Sequence, residues 1–365
     1  MSRPRRILLA QTSFLGDVVL TTALARAIAR GLPDAEIWWL VRPDAVELVA
    51  PLAGPGRVLA FDKRGADRGV RGIVATARRL RALRLDAAIA VQRSLRTAAV
   101  LALARIPLRV GYRESLGSAV VHRRVPHAGA HSRDRLLALA AGLGIAVPSP
   151  PPDPELAVDA GAASRIAARL ADAGIRPDAR LLALAPGSAW ATKRWPAARF
   201  ADAARELVAS DVDAVAIVGA RSDRPLADEI GRTLRARAAR GVPVVDLTGE
   251  TSTGELVALI ARASIVVAND SAPAHVAAAL GRPVVALFGP TVPAQGFAPL
   301  GRAVRIVERD GLACRPCSRH GGDRCPIGTH ECLAALGAEP VVAAARDLIR
   351  SGAAPAARAA RGGAA

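Results

Sequence analysis

Residues 264–291, SIVVANDSAPAHVAAALGRPVVALFGPT, contain the pattern that decides the fold. An apolar run over 265–268 predicts a strand, a short polar turn follows, residues 273–280 are helical in character, and 283–288 form a second apolar run. This is one βαβ step of a parallel sheet, with a tight loop at a helix N-terminus. Unpaired backbone N–H groups and the helix dipole make such a loop suitable for an anion. The alternative is a well-capped helix without a ligand, in which Asp270 or Ser271 is the cap and Pro273 lies in the first turn.

The same alternation of strand and helix extends through the chain. Further apolar runs predict strands at 5–11, 36–41, 58–61, 87–91, 108–112, 180–185, 214–219 and 244–247. Helical segments separate them, including 17–30, 70–83 and 132–141. Strands that are nearly continuous in Val, Ala, Ile and Leu are typical of parallel sheets buried on both faces. We therefore predict an α/β protein with two Rossmann-like, doubly wound domains that face each other across a cleft.

A proline-rich segment separates the two halves of this 365-residue chain. Five prolines stand within residues 148–154, which excludes a helix and favours an extended connector. We predict an N-terminal domain over 1–158 and a C-terminal domain over 159–350 that includes a cysteine-containing loop, 311–332. The last residues, 351–365, are rich in Ala, Gly and Arg and are predicted to be disordered.

The net charge of +18 comes almost entirely from arginine, since Lys63 and Lys193 are the only lysines. Such an excess fits a solvated surface, a nucleic acid, an anionic membrane surface or a phosphorylated substrate. Aromatic residues make up 3% of the chain and no basic run resembles a DNA-reading helix, so we expect no nucleic-acid partner. No apolar run approaches the roughly 18 residues of a membrane span. The apolar run at 7–10 is too short for a signal peptide, so we expect a cytoplasmic protein.

Two further loops carry candidate chemistry. The loop from Gly187 to Lys193 invites comparison with a P-loop, but it lacks the second glycine and the following Ser or Thr, which disfavours a P-loop ATPase. Lys193 at the mouth of that loop still suits a diphosphate. After the first strand, Gly16 would permit close approach of a ligand, and Asp17 begins a helix. Asp17 is either a complement to the helix dipole, worth about 0.3–1 kcal/mol, or a reactive carboxylate at the carboxyl end of a strand.

Arginines in the first half have two interpretations. Arg93, Arg96 and Arg113 follow predicted strands and could form a solvated rim. Equally, their guanidinium groups could hold a polyanionic acceptor through bidentate pairs.

Three blocks of this sequence resemble the signature blocks of the bacterial lipopolysaccharide heptosyltransferases, glycosyltransferase family 9, and are most similar to the heptosyltransferase II branch. They are ILLAQTSFLGDVVLTTAL (7–24), GSAWATKRWP (187–196) and NDSAPAHVAAALGRPVVALFGPT (269–291). The resemblance implies an inverting, metal-independent glycosyltransferase of the two-Rossmann-domain (GT-B) type that needs no cofactor. It also implies ADP-L-glycero-β-D-manno-heptose as donor. The implied acceptor is the inner core of nascent lipopolysaccharide, met by a peripheral enzyme on the cytoplasmic face of the inner membrane.

The resemblance also implies roles for individual residues. Asp17 matches the proposed general base, Ser188 and Lys193 match the diphosphate-binding residues, and the donor loop is matched by Asp270, Ser271, Ala272 and His275. The resemblance also implies that the domain over 1–158 binds the acceptor and that the domain over 159–350 binds the nucleotide sugar, ADP-heptose. From the residues themselves, we assign the acceptor to Ser13, Gly16, Arg93, Arg96 and Arg113. The family usually has glycine where Ala272 stands, and Thr-Pro where Thr21-Thr22 stands.

Two alternatives to heptosyl transfer onto lipopolysaccharide are open at this point. The donor could be kept and the acceptor be a protein side chain, or the chain could bind an ADP-sugar without turnover. A monomer or a weak oligomer is expected in either case.

Four cysteines, Cys314, Cys317, Cys325 and Cys332, are the last feature of the sequence. Their spacing is compatible with tetrahedral zinc. The alternative is an irregular loop with reduced thiols, as expected for a cytoplasmic protein. The resemblance implies no metal in catalysis, and we predict no metal ligands in the active site.

Overall fold

The computed structural model describes residues 3–237 and 241–352. The chain divides into two compact units, Met1–Leu156 and Ala157–Ala365. Both are built from a six-stranded sheet in which every strand pair is parallel. The predicted tail, 351–365, lies outside the described residues except for 351 and 352.

The first unit alternates strands and helices along the chain. Its strands are β1 (Arg6–Gln11), β2 (Glu36–Val41), β3 (Val58–Ala60), β4 (Ala87–Ala90), β5 (Leu108–Tyr112) and β6 (Arg123–Val125). Its helices are α1 (Leu15–Gly31), α2 (Val46–Ala53), α3 (Gly69–Ala82), α4 (Leu95–Leu103) and α5 (Ser132–Ala138). The strand order is β3-β2-β1-β4-β5-β6, so the order reverses between β1 and β4.

The second unit repeats the same design. Its strands are β7 (Leu181–Ala185), β8 (Ala214–Ile217), β9 (Val244–Asp246), β10 (Ile265–Asn269), β11 (Val284–Phe288) and β12 (Val304–Glu308). Its helices are α6 (Ala160–Asp172), α7 (Ala197–Val208), α8 (Arg224–Arg237), α9 (Thr253–Arg262), α10 (Ala272–Ala279), α11 (Glu331–Ala334) and α12 (Glu339–Arg350). The order β12-β11-β10-β7-β8-β9 reverses between β10 and β7.

Burial of the central strands explains why the apolar runs are continuous. All residues of β7, β10 and β11 are buried, because helices cover both faces of the sheet. The core of the second unit also contains Trp195 and Phe200, which pack edge to face with ring centroids 5.0 Å apart. The Trp195 indole N–H donates to the Leu336 carbonyl at 2.9 Å, so this buried polar atom is satisfied.

Two local predictions about helix starts were wrong. Helix α1 begins at Leu15, so Gly16 lies within its first turn and not in the preceding loop. Ser271 occupies the N-cap position of α10, but its hydroxyl makes no capping bond and instead donates to the Asn269 carbonyl at 3.2 Å. The Asp270 side chain is engaged elsewhere, as described below, so neither predicted residue caps this helix through its side chain.

Reversal of strand order has a consequence for function. In an open parallel sheet, the loops at such a reversal diverge to opposite faces and leave a crevice at the carboxyl ends of the two strands. The crevice of the first unit lies after β1 and β4, and that of the second unit lies after β7 and β10. These are the loops in which the sequence places most of the candidate residues.

Candidate functional site

A buried ion pair joins the two loops at the crevice of the second unit. The Lys193 ammonium donates to Oδ2 of Asp270 at 2.6 Å, and both side chains are nearly buried, with 12% and 7% exposure. Lys193 ends a short 3₁₀ turn, Ala191–Lys193, after β7, whereas Asp270 follows β10 directly. The Thr291 hydroxyl also donates to Oδ2, at 2.7 Å. The structure therefore brings together the predicted diphosphate-binding lysine and the predicted donor-loop carboxylate.

Asn269 fixes the geometry of this crevice. The residue is completely buried. Its Oδ1 accepts the backbone N–H of Trp195 at 3.0 Å, and its Nδ2 donates to the Pro186 carbonyl at 2.7 Å. One amide side chain thus ties both ends of the loop 186–195 to the end of β10. Because the buried Asn269 amide both accepts and donates a hydrogen bond, it fixes the loop 186–195 relative to the end of β10.

Close backbone approach explains a glycine in this loop. A Cβ placed on Gly187 would lie 2.1 Å from Oδ2 of Asp223, a buried carboxylate. The Asp223 carboxylate is held in turn by the Ala220 backbone N–H at 2.9 Å. The next residue, Ser188, is one of the two residues predicted to bind the diphosphate. Ser188 is half-buried, and its carbonyl accepts from the Arg194 guanidinium at 2.8 Å.

Helix α10 carries the remaining residues of the donor loop. Ala272 is its first residue and is half-buried, Ser271 precedes it, and His275 is 8% exposed on its first turn. The helix points its N-terminus at the crevice, where orphan backbone N–H groups favour a negative ligand. The ammonium of Lys193, paired with Asp270, and this helix end therefore place hydrogen-bond donors at the same edge of the sheet.

The first unit contains a cavity of about 630 Å³ at its own crevice. The loops after β1, β2, β3 and β4 line it, with Thr12, Ser13, Phe14, Arg42, Pro43, Asp44, Phe61, Asp62, Lys63, Arg64, Gln92, Arg93 and Ser94. Ser13 and Arg93, both predicted to bind the acceptor, belong to this lining.

Lys63 is the residue of this cavity that our sequence interpretation missed. Its ammonium donates to the Thr97 hydroxyl at 3.1 Å and lies 3.5 Å from Oε1 of Gln92. Desolvation, with the nearby charges of Arg96 and Arg42, lowers the pKa of Lys63 to about 8. Its position as one of two lysines in an arginine-rich chain was the signal that could have drawn attention to it.

The charges around the cavity do not cancel. Arg42 pairs with Asp44 at 2.7 Å, and the Asp62 carboxylate accepts N–H groups of its own loop, including that of Gly65 at 2.9 Å. Within residues 3–237 and 241–352, none of the three remaining cations, Lys63, Arg64 and Arg93, forms a salt bridge. The cavity therefore favours an anionic group.

The other predicted residues of the first unit have different positions. Asp17 lies in the first turn of α1, is half-buried, and follows the cavity-lining residues Thr12 to Phe14. Its carbonyl accepts the Thr21 hydroxyl at 2.7 Å. Arg96 is exposed and donates to the Lys63 carbonyl at 3.1 Å, so it supports the loop that carries Lys63. Arg113 is exposed after β5, one strand further along the sheet.

The cysteine segment packs against the crevice of the second unit. All four cysteines have free thiols, and in the part of the chain that the structure describes no three His, Cys, Asp or Glu side chains are arranged to hold a metal ion. The backbone N–H of His330 lowers the pKa of Cys325, and burial raises the pKa of Cys332.

No helix among the described residues has both the length and the apolar character needed to cross a bilayer.

Two doubly wound parallel sheets, with charged loops at the reversal of each, define an α/β protein that binds its ligands at the carboxyl ends of the strands. The sequence profile of glycosyltransferase family 9 (heptosyltransferase) matches residues 73–324, and the chain belongs to this family.

Individual relatives agree with this assignment. The chain is 31% identical over 179 residues to lipooligosaccharide heptosyltransferase 2 of Campylobacter jejuni, an alignment that spans 48% of this chain and about half (53%) of the relative. It is 29% identical over 293 residues to lipopolysaccharide heptosyltransferase 2 of Salmonella typhimurium, covering 75% of this chain and 80% of the relative. The solved structure of ADP-heptose lps heptosyltransferase II of Escherichia coli superposes with a TM-score of 0.78 and 25% identity, over 95% of this chain and 99% of that one. The predicted α/β fold of GT-B type is thereby confirmed.

Proposed function

We propose that this protein is an inverting glycosyltransferase that transfers heptose from ADP-L-glycero-β-D-manno-heptose to the inner core of nascent lipopolysaccharide. The observation that carries the proposal is the buried Lys193–Asp270 pair at the strand reversal of the second unit, beside the N-terminus of α10. Two solved structures of one Escherichia coli heptosyltransferase of the same fold support the donor, because one was determined with ADP and the other with ADP-2-deoxy-2-fluoro heptose.

The donor half of the mechanism follows from the hydrogen bonds of Lys193 and Asp270. An ammonium has three donors, and one of them goes to Asp270, so two can meet diphosphate oxygens together with the N–H groups of Ser271 and Ala272. Both hydrogen bonds to the Asp270 side chain end on Oδ2, and among the described residues none ends on Oδ1. Oδ1 is therefore available to accept a hydrogen bond from a sugar hydroxyl. We assign Ser188 and His275 as further contacts to the ADP-heptose donor.

The acceptor half uses the cavity of the first unit. Lys63, Arg64 and Arg93 supply uncompensated positive charge for an anionic sugar, and Ser13 and Gly16 border the same loop and helix start. Arg96 acts through the Lys63 loop, and Arg113 is assigned to the outer part of the acceptor. We assign Asp17 as the general base that removes the proton from the attacking acceptor hydroxyl.

Fixed hydrogen-bond donors around the leaving group support chemistry without a bound metal. The acceptor oxygen attacks the anomeric carbon as its proton passes to Asp17, and the bond to the diphosphate breaks. Lys193 and the amides at α10 stabilise the negative charge that grows on departing ADP, and this requires no Mg²⁺. An iron-containing dodecameric glycosyltransferase from enterotoxigenic Escherichia coli shares the fold at 16% identity and a TM-score of 0.58, which at this identity is a likeness of fold alone. Elemental analysis of the purified protein checks the metal-free proposal, and a stoichiometric metal needed for turnover would contradict it.

The decisive experiment measures ADP release from ADP-heptose in the presence of heptose-deficient core lipopolysaccharide. We expect turnover that depends on both substrates, at the cytoplasmic face of the inner membrane in the cell. Turnover no higher than that of a reaction mixture without the protein would refute the proposal. Glycopeptide mapping separates transfer to a protein side chain from transfer to lipopolysaccharide, and calorimetric ADP binding without turnover would indicate a non-catalytic ADP-sugar-binding protein.

A further inference from the structure

The segment 311–330, which contains three of the cysteines, contacts both loops of the donor crevice. On one side it contacts Thr192, the residue before Lys193. The Thr192 backbone N–H and hydroxyl both lie within bonding distance of the Gly322 carbonyl, at 3.0 and 2.9 Å. The His330 ring Nε2 lies 2.7 Å from the Thr192 carbonyl. The 3₁₀ turn that presents Lys193 is therefore held from outside by this segment.

On the other side, the segment inserts Arg315 between two strand ends. The Arg315 side chain is 6% exposed. Its guanidinium donates to the carbonyls of Gly289, Thr291 and Arg309 and pairs with the Glu308 carboxylate, with 3.1 Å to the Thr291 oxygen. A planar group with five fixed N–H donors can satisfy four acceptors at once, which a lysine cannot reproduce. Arg315 thus holds the main chain after β11 against the end of β12.

The contacts of Arg315 continue into the donor site. The Thr291 carbonyl accepts from Arg315, and the Thr291 hydroxyl donates to Oδ2 of Asp270. That same oxygen binds the Lys193 ammonium at 2.6 Å. The side chains of Thr291, Asp270 and Lys193 are each at least four-fifths buried, so none can adopt another rotamer without losing a bond.

We propose that Arg315 is a positioning residue for the donor, acting through Thr291 and Asp270 on Lys193. The inference rests on the proposed function of the crevice as a diphosphate site. Arg315 is neutralised by Glu308 and does not reach the crevice as a charge. Its contribution is therefore alignment of the Asp270 carboxylate, and hence of the ammonium that meets the diphosphate.

The test compares four proteins by calorimetric titration with ADP. They are the wild type, Arg315→Lys, Thr291→Val and the double variant, each at a temperature where circular dichroism shows it folded. We expect each single variant to weaken ADP binding by about threefold to thirtyfold, the range for residues that act on a site through others. Both substitutions break the same chain of contacts. We therefore expect the double variant to bind ADP about as tightly as whichever single variant has the lower ADP affinity.

Arg346→Lys is the matched control. Arg346 is also a partly buried arginine of the second unit that pairs with a carboxylate, Asp211, at 2.9 Å, but it joins α12 to the end of α7. We expect its ADP affinity to equal that of the wild type.

Several results would overturn the inference. Unchanged ADP affinity in folded Arg315→Lys would do so, as would independent, multiplicative losses in the double variant. If Arg315→Lys does not fold, unchanged affinity in Thr291→Val would decide against it. Absence of ADP binding by the wild type is a distinct outcome, because it would refute the donor proposal itself and this inference with it.

Discussion

The Lys193 ammonium lies 2.6 Å from Oδ2 of Asp270, although 77 residues separate the two in the chain. Both side chains are nearly buried, so the Coulomb attraction between them is weakly screened. A diphosphate that enters the crevice meets a lysine whose position is already fixed. Such preorganisation lowers the cost of binding, since little side-chain entropy remains to be lost.

Replacement of Lys193 by methionine tests whether this pair binds the diphosphate and whether it stabilises the fold. We expect loss of detectable ADP binding, and also a lower free energy of unfolding by about 3–5 kcal/mol, the cost of leaving a buried carboxylate without its partner. Calorimetry and chemical denaturation measure the two effects. The double variant Lys193→Met/Asp270→Asn removes the unpaired charge, so it should recover stability without recovering ADP binding. ADP affinity equal to wild type in Lys193→Met would contradict the donor assignment.

Asp17→Asn tests the assignment of the base. Asparagine preserves the shape of the side chain but cannot take a proton, so kcat should fall by about 10²- to 10⁴-fold, the usual contribution of a general base. The second unit is untouched by this change, and we expect the ADP dissociation constant to stay within twofold of wild type. A kcat within tenfold of wild type would show that another group removes the proton.

Much of the fold could be predicted because buried parallel strands have a simple signature. The runs that became β1, β2, β4, β7, β10 and β11 are apolar on both faces, and turn residues follow them. The edge strands β6 and β12 were missed, because Arg123–Val125 has only three residues, two of them exposed arginines, and Val304–Glu308 mixes apolar and charged residues without a regular period at the margin of the sheet. Neither pattern differs enough from that of a loop.

The site was less completely predictable, since contacts between distant loops leave no local pattern. Lys193 and Asp270 could be assigned by motif, but their direct pairing could not, because it depends on how β7 and β10 are juxtaposed. Asn269 was included in the opening motif as a turn residue, whereas it is the buried link between the two loops. Arg315 gave no signal at all, since one arginine between two cysteines is ordinary in a chain this rich in arginine.

Gly187→Ala tests the close approach of the donor loop to Asp223. The added methyl would lie 2.1 Å from a carboxylate oxygen that is fixed by a backbone N–H, so the loop must move. We expect a loss of about 1–3 kcal/mol in unfolding free energy, as in overpacked sites, together with weaker ADP binding. Gly231→Ala is the control, because its methyl would meet only the flexible end of Arg235 within α8, and alanine favours a helix by about 0.5–1 kcal/mol. Equal stability of Gly187→Ala and the wild type would contradict this account of the loop.

Lys63 gives the acceptor site a dependence on pH. Its pKa of about 8 means that the ammonium, and with it the attraction for an anionic acceptor, is lost as the pH rises from 7 to 9. We therefore expect the acceptor KM, measured at saturating donor, to rise across this range in the wild type. In Lys63→Arg the KM should stay level, because a guanidinium remains protonated throughout. In Lys63→Gln it should be high and level.

The free energy of unfolding should also depend on the protonation of Lys63, but it should rise with pH where acceptor binding weakens. The unfolded chain keeps Lys63 protonated up to about pH 10.5, so between pH 8 and that value the unfolded state binds more protons than the folded state. The free energy of unfolding should therefore rise with pH in this window for the wild type relative to Lys63→Gln, and the difference between them should be constant below about pH 7. Parallel pH profiles of stability and of acceptor KM in the two proteins would show that Lys63 does not titrate there, and an acceptor KM in Lys63→Gln equal to that of the wild type at pH 7 would remove Lys63 from the acceptor site.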